Sequence, residues 1–169
     1  MPLSMHQASV PVILHFLKAL SAILEKAESH VRAKGTDQSE LINARLAPDM
    51  FPLARQVQIA TDHAKGAAAR LSGRENPKYE DTETTFAALR ARIARTLEFV
   101  GGVPAAEIDG SEEKEITLTI AGNPMTFTGQ YYLLHFALPN FFFHVTTAYD
   151  ILRHQGLEIG KRDFMGGAR

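Results

Sequence analysis

The sequence predicts a mainly all-α fold: a four-helix bundle with a small β-hairpin inserted before the last long helix. Three observations carry that expectation. Four stretches repeat apolar residues at spacings of three and four, as helices with one buried face do. One stretch, residues 115–128, alternates apolar and polar residues instead, the pattern of paired strands. No internal repeat or low-complexity segment divides the 169 residues, so a single domain over 1–169 is expected.

The first helix is read from "VPVILHFLKALSAILEKAESHVRAKG", where Val12, Ile13, Phe16, Leu17, Leu20, Ile23, Leu24 and Ala27 form one stripe. Pro11 suits its first turn, since the N–H that proline lacks is unpaired there in any helix. Gly35 supplies the stop. "TDQSELINARLAP" predicts a short helix capped by Thr36 or Asp37. The second long helix, "MFPLARQVQIATDHAKGAAARLSG", has Pro52 near its start and Gly73 at its end. "RENPKYE" is a polar loop, and "DTETTFAALRARIARTLEFVGG" is the third long helix, capped by Thr84 or Thr85 and closed by Gly101-Gly102. In the hairpin, Ile116, Leu118 and Ile120 share a face that Met125 and Phe127 continue, with the turn expected at Gly122-Asn123. The fourth long helix runs from about Gly129 to His154, and residues 157–169 read as a trailing tail.

Pro139 sits inside that last helix. It cannot donate to the carbonyl of His135, and its ring crowds the preceding turn, so a kink is expected near residues 135–139. Phe141, Phe142 and Phe143 follow, each turned about 100° from the next, and so cannot all face one core. Either the hairpin and tail wrap this helix on several sides, or one phenylalanine meets a second subunit. A homodimer is the expectation.

Composition excludes several classes. The 18 basic and 19 acidic residues give a net charge of −1 with no basic stripe, so nucleic acid is not an expected partner. Without cysteine there is no disulfide framework, thiol nucleophile or Cys-zinc site. The first residues lack a basic n-region and a small-residue cleavage site, and no run is expected to reach the ~18 apolar residues a membrane span requires. A cytoplasmic protein with no membrane partner is therefore expected.

One constellation has chemical potential. On the last helix, His144 shares its face with Leu133, Ala137, Asn140, Thr147 and Ile151. On the second long helix, His63 shares its face with Ile59, Gln56, Ala67 and Arg70. His63, Asn140 and His144 thus face each other across the bundle as candidate pocket residues, with Tyr149 as a further pocket candidate. Arg55 and Arg70 are candidates for holding an anion, although helix arginines are more often solvated or ion-paired. His144 beside Asn140 is equally readable as a buried neutral histidine hydrogen-bonded to an amide.

"LPNFFFHVTTAYDILRHQGLEIGKRDFMGG", with "MFPLARQVQIATDHAKGAAARL" and the start "SMHQASVPVILHFLKAL", closely resembles the family known as domain of unknown function 1993. That family looks like a branch of the DinB-like (damage-inducible protein B) four-helix bundles, many of which bind a divalent metal. The resemblance implies three histidine ligands, one on the second helix and an HxxxH pair on the last. By position His63 matches the second-helix ligand and His144 the later member of the pair, while the earlier member falls on Asn140, giving NxxxH. An Asn carbonyl is a poorer donor than imidazole, carboxylate or thiolate for zinc, nickel or iron. No tightly held cofactor is therefore expected, a weak divalent metal on His63, His144 and Asn140 being the alternative. Two functions follow. One is a bundle that binds a small molecule in a degenerate metal-site pocket. The other is a metal-dependent small-molecule enzyme of thiol-cofactor transferase, isomerase or hydrolase type, with Tyr149 or Asp62 as proton carriers.

Overall fold

The computed structural model describes residues 2–167. Helix α1, Met5–Lys34, begins six residues before Pro11 rather than at it. The reason is a local signal in "SMHQ". The Ser4 hydroxyl accepts from the Gln7 N–H at 3.2 Å, and the Gln7 side chain accepts from the Ser4 N–H at 3.1 Å. This reciprocal pair satisfies two end donors. Pro11 is then interior but exposed, where water can satisfy the carbonyl it leaves unpaired. Gly35 ends the helix at φ +64°, as expected.

Asp37 caps the short α2, Gln38–Ile42, through the Ser39 N–H. Helix α3, Leu53–Ser72, runs from Pro52 to Gly73, and α4, Phe86–Gly101, starts from Thr85, whose hydroxyl accepts from the Ala88 N–H. A single turn, α5 (Ala105–Ile108), precedes the hairpin of β1, Glu115–Ile120, and β2, Asn123–Thr128. Ile116 pairs with Phe127 and Leu118 with Met125, the expected apolar face. On the other face the Thr117 and Thr126 hydroxyls meet at 2.8 Å. The turn is one residue earlier than expected: Ala121 (φ +49°) and Gly122 (φ +82°) are its two central residues. Positive φ at both positions matches the twist of a two-residue hairpin.

The last helical run covers Gly129 to His154 and holds three segments: α6 (Gly129–Tyr131), a π-helical segment (Tyr132–Ala137) and α7 (Leu138–His154). The Leu138 N–H reaches back to the Leu133 carbonyl, a widened turn lying directly before Pro139. The expected disturbance therefore takes the form of a π-bulge, one of the standard ways a helix absorbs a proline. Gly129 opens this run because a Cβ there would stand 2.0 Å from the Ser111 carbonyl oxygen.

Helix α3 packs along α7, and α1 along α4, with α3 and α4 also in contact. Ile13, Leu17, Leu20, Ile23 and Leu24 of α1 enter a core shared with Leu53, Val57, Phe86, Leu89, Ile93, Phe141 and Ile151. Each such residue contributes about 1.5–3 kcal/mol when fully buried. Helix α1 is also long and apolar enough to cross a membrane by length and composition, but its apolar stripe is spent on this core.

The three phenylalanines separate. Phe141 is buried, Phe142 stacks edge-on against Phe16 of α1 at 4.9 Å, and Phe143 is 56% exposed. As far as residue 167 the tail does not trail away; its last two residues, 168–169, lie outside the described residues. Leu157 and Ile159 are buried, and α8 (Lys161–Phe164) sets Phe164 against Phe16. Asp163 pairs with Lys26 at 2.5 Å, and the Met165 carbonyl lies 3.0 Å from His15 Nε2. Packing of this kind depends on α1, more than a hundred residues away, and has no local sequence signature.

Candidate functional site

The structure brings together the three residues singled out by face analysis. The His63 and His144 rings lie 6.0 Å apart with their planes 12° from parallel. Asn140 stands one turn before His144 and donates its amide N–H to the Phe136 carbonyl at 2.7 Å. The Phe136 ring in turn lies 5.8 Å from that of His63. Asn140 thus uses its amide nitrogen to satisfy a carbonyl of the π-helical segment, which helps hold the bulge in place.

The residue that organises His144 is Gln56. Its amide nitrogen donates to the Phe51 carbonyl at 3.0 Å, which aims its Oε1 at His144 Nδ1, 2.7 Å away. A carbonyl oxygen can only accept, so Nδ1 carries the proton and Nε2 holds a free lone pair. Gln56 lies on the predicted face of His63, a helical repeat before it, but nothing in the sequence marks it as the partner of a residue on the last helix.

Both histidines are neutral at pH 7. Burial pushes His63 down to about 4, helped by His144 and Arg70 and opposed by Asp62. His144 is likewise pushed down to about 4, by burial and by Arg55. An imidazole that resists protonation so strongly is a poor general base at neutral pH but a good hydrogen-bond acceptor.

The other candidates lie apart from this pair. Tyr149 packs its ring against Phe164 of α8 at 6.0 Å and lines a small separate hollow with Thr146, Asp150 and Lys161, away from the cleft at His63. Its sequence position, five residues after His144, turns it to another side of α7. Asp62 is engaged: its Oδ1 accepts from Arg92 at 2.9 Å and from Lys65 at 3.2 Å. Arg55 pairs with Asp81 at 2.5 Å. Arg70 donates to the Tyr132 hydroxyl at 3.0 Å and has no carboxylate partner among the described residues.

The donor set does not fit a tightly held divalent cation. It offers two neutral imidazoles and one amide, while the nearest carboxylate, Asp62, is held by two cations. Among the described residues no group of three or more His, Asp or Glu side chains is placed to bind a metal ion. Metal sites of the usual strength need such a set.

His63 opens onto a cleft of about 720 Å³ between α3, the loop after it, β1 and Phe136. The cleft is walled by Leu118 and Ile120 on the hairpin and by Pro77 and Tyr79 on the loop. Strand alternation predicts the hairpin but not its place in a site, because it does not say which face a neighbouring helix will meet.

Comparison with known proteins agrees with this architecture. A crystal structure of a DinB family member protein from Shewanella denitrificans is 42% identical, with a TM-score of 0.86, over 96% of this chain and 92% of that one. No curated protein matches. The profile of the domain of unknown function DUF1993 matches residues 5–165. The chain therefore belongs to the DUF1993 family, and its bundle is DinB-like.

Proposed function

We propose that this protein binds a small molecule in the pocket of His63, Asn140 and His144 without a tightly held metal. The observation that carries the reading is the Gln56–His144 hydrogen bond, which fixes a neutral tautomer and leaves the Nε2 lone pair as a ready acceptor. Asn140 supports it as well, since the one donor it could offer a metal is a neutral amide oxygen, its nitrogen being held by the Phe136 carbonyl. Pockets that combine apolar walls with a few placed polar groups are the usual form of small-molecule sites.

Metal content separates this reading from the competing metalloenzyme one. Tag-free protein purified without nickel resin, measured by elemental mass spectrometry, is expected to hold far less than one zinc, nickel or iron atom per chain. Near-stoichiometric metal that disappears in His144→Ala would overturn the proposal and direct screening toward thiol-transfer and hydrolytic chemistry. Ligand binding is read separately, from imidazole proton–carbon NMR signals of His63 and His144 during a fragment titration.

The same reading includes a homodimer. Phe143 stands exposed beside the His144 ring, at 5.1 Å, and Phe51 is exposed beside Gln56. Exposed aromatic surface of this kind favours a partner subunit. Sedimentation at micromolar concentration is expected to show a dimer that Phe143→Ser weakens, and a lone 18.6 kDa species would overturn it.

A further inference from the structure

The cleft above His63 has a charge balance that the chain as a whole lacks. Three of its lining residues are cations, Lys65, Arg70 and Lys78, against one carboxylate, Asp62. Lys65 and Asp62 pair with each other, and Asp62 is further neutralised from behind by Arg92. Arg70 and Lys78 are left without ion pairs among the described residues. A net −1 chain that concentrates unpaired cations in one concave place has a local preference for anions.

Arg70 is prepared for such a role. It lies on the His63 stripe of α3, and its guanidinium rests against Gly66, where a Cβ would stand 2.3 Å from Nη1. Glycine inside a helix costs about 1 kcal/mol relative to alanine, so a bare position here makes room for the guanidinium at the expense of helix stability. Arg70 is fixed at one end by the Tyr132 hydroxyl, and its other N–H groups have no protein partner among the described residues. Arg70 itself is half-buried and lines the cleft. Asn76 accepts from Lys65 through its Oδ1 at 3.4 Å, leaving its amide N–H free on the same side. The same cleft is lined by the apolar side chains of Leu118, Ile120 and Phe136.

We propose that the cleft binds an organic anion whose acidic group is held by Arg70 and Lys78 and whose apolar body lies on Leu118, Ile120 and Phe136, reaching toward His63. Guanidinium and ammonium donors suit either a carboxylate or a phosphate monoester, by charge-assisted hydrogen bonds. The proposal rests on the small-molecule reading above and names the class of ligand for the cleft on the His63 side of that pocket.

The test titrates three probes of one chain length, octanoate, octyl phosphate and neutral octanamide, into the intact protein while following the His63 and His144 imidazole signals. The anions are expected to shift His63 and to weaken with added salt, and to bind at least about tenfold more weakly to Arg70→Gln and to Lys78→Gln, a 1.4 kcal/mol loss each. Octanamide is expected to bind weakly and indifferently to both variants. Whichever anion binds more tightly assigns the carboxylate or the phosphate class. Lys78 is exposed, so its variant keeps the test sound even where Arg70→Gln disturbs packing around Tyr132. Equal binding of octanamide and octanoate, or anion affinity unchanged in Lys78→Gln and by salt, would overturn the anion proposal while leaving a small-molecule pocket. Probes that move neither histidine would overturn both.

Discussion

Two arginines on neighbouring helices show opposite uses of the same side chain. Arg92 on α4 is fully buried and saturated: it donates to Thr61 Oγ1 at 2.7 Å, to the Glu80 carbonyl at 3.0 Å and to Glu83 at 3.2 Å. It also reaches Asp62 at 2.9 Å and Asp81 at 3.1 Å, and its guanidinium lies 5.3 Å from the Tyr79 ring. Arg70 on α3 is half-buried and has one hydrogen-bond partner among the described residues, Tyr132. A guanidinium whose donors are all spent inside the protein has nothing left for a ligand and serves to hold the 74–85 loop against α3 and α4. One with donors open to a cleft has chemistry to offer. Satisfaction, rather than charge or burial, separates the structural group from the functional candidate.

The largest expected effect breaks the saturated side. Arg92→Met takes the shared guanidinium from the buried Glu83 carboxylate and from Asp62, leaving only Gln58 and Arg95 on the first and Lys65 on the second, and should cost about 3–5 kcal/mol, read from urea unfolding. Arg92→Lys, which keeps the charge but loses the fork, should recover only part of it. A loss under 1 kcal/mol would mean that the cluster is not the clamp described above.

Asn140→His restores the third imidazole and removes the amide bond to Phe136. It should tighten zinc or nickel binding by at least the 10- to 100-fold that supporting residues around metals typically contribute, measured by isothermal titration. Unchanged affinity would show that the π-bulge, and not the donor at this position, keeps the site from holding metal.

Acid tests the histidine pair. Unfolded, these imidazoles protonate near 6.5, whereas in the fold both are held down to about 4. The unfolded chain therefore binds more protons between those values, so their contribution lowers stability as pH falls from about 6.5 to about 4 and adds no further slope below. Urea midpoints across this window should flatten in the His63→Leu/His144→Leu double variant. An unaltered slope would place the pH sensitivity elsewhere.

The smallest effect is the sharpest. Gly66→Ala should leave stability unchanged or raise it by up to about 1 kcal/mol through helix propensity, because only the flexible end of Arg70 must move. Octanoate affinity should nevertheless fall several-fold. A variant that binds as well as the parent would mean that Arg70 needs no seat on the helix to reach its ligand.

What the sequence determined by itself was whatever is encoded locally. Helical stripes, the stops at Gly35 and Gly73, the Thr85 cap and the alternation of 115–128 depend on residues within a turn or two, and they predict the four long helices and the hairpin. The "SMHQ" box was also local, and Pro11 distracted from it by suiting a helix start as well. The faces of α3 and α7 were legible too, which is why His63, Asn140 and His144 emerged together. Tertiary structure decided everything that depends on partners distant along the chain. Gln56 fixes the tautomer of a histidine 88 residues away, and Arg92 holds the loop that comes before its helix through bonds no periodic pattern announces. Phe164 finds Phe16, and the hairpin becomes one wall of a cleft. Periodicity tells which side of an element seeks burial, because burial follows the element's own geometry. It does not tell which polar group will be met there, since a hydrogen bond is settled by the position of a second atom that another part of the chain supplies.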